Sequence, residues 1–251
     1  MNRLDVFPRH VLATCAVAAS VLFAPLASAG PNLIVNGGGE AGPGSTNGNE
    51  VIVAPGWATQ NNSNFTVVDY TAPNGGPTPV SPGPTDRGMN YFSGGPDNEA
   101  SSATQLIDLS FAASAIAAGG AGFTLSGWLG GYSGQDDHTL LSASWLDSQG
   151  MALGSFTLDS VYASDRAGET GLLFKTFSGA LDSQVRQVLI TLDMRRTDGA
   201  YNDGSADNLS FSLTDVTAPN PVPEPSTYAL MLGGLASVAA LARRRNARRC
   251  E

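Results

Sequence analysis

Apolar and polar positions alternate most clearly through Val188-Leu189-Ile190-Thr191-Leu192 and Leu209-Ser210-Phe211-Ser212-Leu213. Successive side chains of an extended strand point to opposite faces. The second run therefore sets Leu209, Phe211 and Leu213 on one face and its serines on the other. Short runs of β-branched and aromatic residues between Gly, Pro, Asn and Asp clusters carry the same strand chemistry. They predict strands over Asn32–Asn36, Val51–Val53, Phe65–Tyr70, Ala103–Leu109, Phe123–Leu129 and Thr139–Asp147, and further on over Leu153–Leu158, Leu172–Ser178, Val185–Met194 and Asn208–Val216. Turn residues recur between them, as in Asp147-Ser148-Gln149-Gly150. Many short strands at this spacing predict an all-β, two-sheet sandwich of jelly-roll type. Only Phe111–Ala118, rich in alanine and ended by Gly119-Gly120, reads as helical. Residues 71–96 hold a Pro/Gly-rich tract, and proline has no N–H for a sheet ladder. The tract is expected as a long surface loop, either an inserted excursion or a loop facing a ligand.

Two apolar runs lie outside this pattern, one at each end. Arg3 and Arg9 precede an uncharged run from Val11 to about Leu26, followed by Ala27-Ser28-Ala29. A positive start, an apolar middle and small residues around Ala27 and Ala29 predict a signal peptide over residues 1–29, cut after Ala29. Signal peptidase and the general secretion machinery are its implied partners. At the other end Pro223-Glu224-Pro225-Ser226 precedes an uncharged stretch over Thr227–Ala242, then Arg243, Arg244, Arg245, Arg248 and Arg249. As a helix this stretch is about 24 Å long, somewhat short of a bilayer core of about 30 Å. Flanking Tyr228 and snorkelling arginines bridge the difference. The expectation is a single transmembrane helix, stopped by Arg243, Arg244 and Arg245 on the cytoplasmic side, with the intervening domain outside.

The order of Pro-Glu-Pro-Ser, short apolar helix and arginine cluster over residues 221–251 resembles the PEP-CTERM sorting signal of Gram-negative bacteria. That resemblance implies recognition of Pro223, Glu224, Pro225 and Ser226 by exosortase, a membrane-embedded cysteine transpeptidase. It also implies transient inner-membrane insertion of a precursor, then display on the cell surface or in the extracellular matrix, in a setting that often includes exopolysaccharide.

The segment between these signals, residues 30–220, is long enough to bury the core of one domain. It carries nineteen acidic residues against six basic ones, within a chain of net charge −9. A binder of nucleic acid needs a basic face to displace counterions, so this balance argues against nucleic acid as a partner. The two cysteines, Cys15 and Cys250, both fall in the terminal segments. The domain therefore has no disulfide and no zinc–thiolate site.

Asn32-Leu33-Ile34-Val35-Asn36-Gly37, Glu40 and Pro55-Gly56-Trp57 resemble the opening of galactose-binding-like jelly-roll modules, which include many carbohydrate-binding modules. Asp207-Asn208-Leu209-Ser210-Phe211 resembles their closing strand. The resemblance implies a structural calcium held by Glu40 and Asp207, bridging the first and last strands. Asp198–Gly204 is a second oxygen-rich stretch, expected as a solvated turn because it lacks EF-hand spacing. Glycan recognition needs aromatic rings beside planar polar groups. Tyr132 and Tyr201, in polar Gly-rich surroundings, are the candidate ligand-binding residues, whereas Trp128 and Trp145 sit in apolar runs and are expected in the core. Gly134-Gln135-Asp136-Asp137-His138 sets two carboxylates beside the domain's sole histidine. An exposed turn accounts for them, and neither a nucleophile elbow nor a zinc-protease motif is present. The expectation is a non-catalytic exported protein, with no catalytic residue, that binds glycan or exopolysaccharide. The alternative is a secreted glycan-active hydrolase built on converging carboxylates.

Overall fold

The computed structural model describes residues 30–60 and 63–216. Ten strands form two five-stranded antiparallel sheets facing each other across one core. Chain order gives β1 Ala58–Thr59, β2 Thr66–Asp69, β3 Asn90–Pro96, β4 Ala100–Asp108 and β5 Gly122–Gly131. The second half supplies β6 His138–Leu146, β7 Ala152–Thr157, β8 Gly171–Ala180, β9 Gln187–Arg195 and β10 Tyr201–Thr214. The first sheet runs β1-β4-β9-β6-β7 and the second β2-β3-β10-β5-β8, so the chain repeatedly crosses between layers. This is the all-β jelly-roll sandwich that the alternating pattern predicts. The expected helical stretch is a 3-10 turn at Ser110–Ala112 and a short helix α1, Ala113–Ala117. Gly119, at φ 75°, follows it.

The alternation becomes burial. β4, β6 and β9 each bury every second residue, placing Ala103, Ile107, Leu141, Val188, Ile190 and Leu192 inside. Aromatic rings from both sheets and their connections fill the interior. Trp57 lies edge-on to Phe92 at 5.6 Å, and Phe123 lies 4.5 Å from Trp145. Each such ring removes a large apolar area from water.

Four sequence expectations are corrected. Asn32–Asn36 is not a ladder strand, although it docks along β10: Gly30 N donates to Leu213 O and Leu33 N to Phe211 O, at 2.8 and 2.7 Å. Between them the Asn32 amide stands in for a peptide group, donating to Leu209 O at 2.9 Å and accepting from Phe211 N at 3.0 Å. Val51–Val53 is likewise a connection, bonded to β2 through Ile52 O and the Thr66 hydroxyl. The loop expected through residue 96 ends at Met89, because Asn90–Gly95 contain no proline and form β3, inside its sheet between β2 and β10. Pro96 takes the last position of the strand. β10 starts at Tyr201, so Asn202 and Gly204 are buried strand residues, not parts of a solvated turn.

Signal cleavage at Ala27 and Ala29, the sorting residues Pro223 to Ser226, the transmembrane stretch and Arg243–Arg245 lie outside the described residues. Among the described residues no helix is long and apolar enough to cross a membrane.

Candidate functional site

The loops at one end of the sandwich enclose a pocket of about 300 Å³, walled by Tyr132, Tyr201, Asn47, Asn49, Asn74 and Asp203. Tyr132 opens the β5–β6 loop and Tyr201 begins β10, so two candidates 69 positions apart share one site. Both rings are half-buried. The Pro/Gly tract supplies Pro73 and Asn74 to the wall of this pocket. Glycine makes the close approach possible. Gly75 lies at φ 87°, and a β-carbon there would sit 3.3 Å from the Tyr132 ring. Gly48, at φ 73°, abuts the Asn74 side chain, and any β-carbon would overlap it. Asn74 Nδ2 in turn donates to the Tyr91 hydroxyl at 3.4 Å, and Ser93 Oγ donates to the Tyr201 hydroxyl at 3.3 Å.

Two charged groups hold these loops in place, and sequence reasoning passed over one and misread the other. Asp137 is fully buried, which overturns its reading as part of an exposed turn. Its Oδ1 accepts from Thr197 N at 2.6 Å, Thr197 Oγ1 at 3.0 Å and Asp198 N at 3.1 Å. Its Oδ2 accepts from Asp203 N at 2.9 Å. One carboxylate thus ties the β5–β6 loop to the β9–β10 loop and to the first turn of β10. Arg166 is also buried and donates to Ser133 O at 3.0 Å, Gln135 O at 2.9 Å and Glu169 O. One of only six basic residues in a strongly acidic domain, set between Asp165 and Glu169 in sequence, was the available clue. Burial lowers its pKa, while the surrounding Asp136, Asp165, Asp137 and Asp203 raise it.

The pocket is electronegative. Burial, then the neighbouring Asp137 carboxylate, push Asp203 up to about 7, against the pull of Arg166. The Asp203 carboxylate accepts no hydrogen bond from the described residues, and no lysine or arginine lines the wall.

No acid–base dyad forms around His138. Its Nδ1 lies 2.8 Å from the Asp136 backbone carbonyl, not from a carboxylate, and its ring packs 4.9 Å from Tyr162. Both oxygens of Asp137 are occupied by backbone and hydroxyl donors.

Glu40 and Asp207, the candidate metal ligands, approach the same glycine. A β-carbon on Gly38 would lie 3.3 Å from Asp207 Oδ1 and 3.8 Å from Glu40 Cγ. Asp207 is wholly buried and accepts from the Tyr70 hydroxyl at 2.7 Å and Asn208 N at 2.6 Å. Burial pushes it up to about 7, with Glu40 adding to the rise; the Tyr70 and Asn208 hydrogen bonds and Arg87 oppose it. Glu40 Oε1 accepts from Met89 N and Asn90 N at 3.0 and 2.8 Å, and its Oε2 has no donor among the described residues. Two hard-oxygen carboxylates, one buried with no paired cation, fit a calcium ion whose remaining ligands are carbonyls and water. Among the described residues no group of three or more His, Cys, Asp or Glu side chains clusters as a metal site.

Two further surfaces are present. Trp128, expected in the core, lies on the outer face of the second sheet beside its cross-strand partner Phe174, ring centroids 5.6 Å apart, over a hollow of about 300 Å³. It is absent from the core cluster because Gly127 and Leu129, not Trp128, take the inward positions of β5. Trp145 does pack against the core, as expected. The outer face of the first sheet carries a hydroxyl row in register, Thr104, Thr191, Ser142 and Thr157, and no aromatic ring lines its hollow of about 550 Å³.

Beyond the described domain the chain reads Pro223-Glu224-Pro225-Ser226, an uncharged stretch and an arginine cluster. Residues 221–246 match the PEP-CTERM protein-sorting motif. The PEP-CTERM motif marks an exported protein and covers only this terminal segment. No curated protein matches the chain. Among solved structures, the chain is similar to the enzymatically active domain of tailspike protein 4 from bacteriophage CBA120, at 19% identity and TM-score 0.46 over 72% of this chain and 21% of that one. It is also similar to a family 16 carbohydrate-binding module, at 16% identity and TM-score 0.44 over 72% of this chain and 99% of that one. A xylan-binding domain of carbohydrate-binding module family 22 aligns at 10% identity and TM-score 0.41 over 66% and 91% of the two chains. The chain thus spans about a fifth of the tailspike chain.

Proposed function

We propose that this is a non-catalytic, exported glycan-binding protein. It is made as an inner-membrane precursor, sorted by exosortase through Pro223, Glu224, Pro225 and Ser226, and displayed at the cell surface or in the matrix, where the end pocket takes exopolysaccharide. The observation that carries the binding reading is the convergence of Tyr132 and Tyr201 with the amides of Asn47, Asn49 and Asn74 in one pocket. Rings take the apolar face of a pyranose, and planar amides satisfy its hydroxyls. The occupied oxygens of Asp137 and the missing His138 dyad favour binding over hydrolysis.

Glycan-array binding tests this directly. The protein is expected to retain a defined set of glycans. Tyr132→Ala and Tyr201→Ala are each expected to weaken that binding about tenfold, near 1.4 kcal/mol, while the melting temperature stays within a few degrees. A blank array, or undiminished binding in both variants, would remove the pocket from consideration.

Sorting has its own test. Pro223 and Pro225 define the motif that this reading assigns to exosortase. Replacing both with alanine is expected to leave unprocessed precursor in the inner-membrane fraction, read as a larger band on immunoblots. Normal maturation of the double variant would defeat the exosortase reading.

In this proposal Glu40 and Asp207 hold a structural calcium. It would supply the positive charge that a buried carboxylate otherwise lacks, fastening the N-terminal segment to β10.

A further inference from the structure

The charge of the end pocket selects among sugars. Resting on the glycan-binding reading of this site, we propose that its ligand is a sugar bearing a free ammonium group, a hexosamine unit of a de-N-acetylated polysaccharide, with the ammonium placed beside Asp203.

Three features of the molecule converge on this class. The Asp203 carboxylate borders the pocket with no protein hydrogen bond, while its own backbone N–H is held by Asp137. A half-buried carboxylate without a donor is a standing demand for one, and a charged donor answers it best. Next, the bases of the surrounding loops are already engaged. Arg166 donates to three backbone carbonyls. Arg196 donates to Ala200 O at 2.7 Å and lies 3.9 Å from Glu99. Asp136, Asp137, Asp165 and Asp203 all surround the single guanidinium of Arg166, so the loop end keeps a negative excess. Finally, two tyrosine rings share the pocket. The negative face of an aromatic ring attracts an ammonium in its own right, so Tyr132 and Tyr201 serve both the sugar ring and its charge. An N-acetyl group would put a neutral amide where the carboxylate seeks a cation. A uronate would put a second anion there.

The domain as a whole acts in the same direction. With nineteen acidic and six basic residues over 30–220, it draws a cationic polymer towards it and repels a polyuronate. Both effects weaken as salt screens them.

Calorimetric titration of the purified full chain in detergent, at neutral pH and low salt, tests the inference with four tetramers: glucosamine, N-acetylglucosamine, galacturonate and lysine. The glucosamine tetramer is expected to bind at least tenfold tighter than each of the others. Asp203→Asn is expected to abolish that preference without lowering the melting temperature, since the side chain bonds to no protein group and its charge is disfavoured by burial and by Asp137. Tyr132→Ala is expected to weaken the glucosamine tetramer while leaving the order of preference unchanged. Equal binding of the acetylated or acidic sugar overturns the inference, as does an unaffected Asp203→Asn variant. Lysine binding as tight as glucosamine overturns it too, because the ammonium alone would then suffice. If none of the four binds while the array shows another glycan, this inference fails and the glycan reading stands. If the array is blank as well, both fail.

Discussion

Asp137→Ala is expected to destabilise the folded domain by about 3–5 kcal/mol, the range seen when a buried hydrogen-bonded charge is deleted. The substitution strips the acceptor from Thr197 N, Asp198 N, Asp203 N and the Thr197 hydroxyl together. Each donor left buried and unpaired costs about 1–3 kcal/mol, and the losses overlap because the loops relax as one. At about 2–4 °C per kcal/mol for a domain of this size, the melting temperature falls by roughly 10 °C or more. Asp137→Asn keeps the volume and one acceptor oxygen, so it is expected to lose about half as much. The neighbouring Asp136→Ala is expected to cost under about 1 kcal/mol. Its Oδ1 accepts a single exposed hydrogen bond, from Ala163 N at 3.0 Å. Urea melts of the three variants check the ordering, and comparable losses at positions 136 and 137 would contradict the tie between the loops.

The second large effect couples pH to calcium. Asp207 ionises in the folded protein near 7, well above an ordinary aspartate, because it is buried. Between its unfolded and folded values the native state holds the extra proton, so without metal this group stabilises the fold in acid. That contribution is lost as pH rises through about 7. Asp203 shifts in the same direction for the same first cause. In chelator the protein is therefore expected to melt at a lower temperature at pH 8 than at pH 5. Between those two pH values the loss for Asp207 alone amounts to at most about 3 kcal/mol. The calcium ion proposed for Glu40 and Asp207 would replace the proton with a stronger positive charge. Saturating calcium at pH 8 is then expected to restore about 2.7 kcal/mol at a hundred times its dissociation constant. At pH 5 it does little, because the proton competes. Asp207→Asn removes the calcium response and Asp207's share of the pH response, leaving the share of Asp203. A pH slope that persists with no calcium effect would leave Asp207 as a buried neutral acid and end the metal proposal.

These paired aspartates show where local pattern stops being informative. Asp136 and Asp137 are the same residue type in the same turn-like context, and water at the surface is the simplest resting place for two adjacent like charges. Only the folded chain reveals that Arg166, thirty positions away, draws the β5–β6 loop inward, and that the β9–β10 loop presents three donors to one of the two carboxylates. Trp128 is a similar case. Its apolar neighbours suggest the core, but strand phase decides, and glycine at 127 with leucine at 129 sends the tryptophan outward.

By itself the sequence determined what short-range physics dictates. Period-two alternation against turn residues set eight of the ten strands and the all-β sandwich, and the charge count argued against a basic face for nucleic acid. The Pro-Glu-Pro, apolar and arginine order, read without any fold at all, marked the export and sorting signal. Tyr132 and Tyr201 stood out as candidate ligand-binding aromatics because their polar, Gly-rich neighbours do not continue an apolar run. The tertiary structure alone decided that these two share a pocket, that Asn90–Gly95 is an interior strand after a run of prolines, and that Asn32 stands in for backbone along β10. Each depends on contacts between positions far apart in the chain, as far as the 179 residues between Asn32 and Phe211. Such contacts arise from how two sheets stack and how their end loops meet, and no local window of residues contains that information.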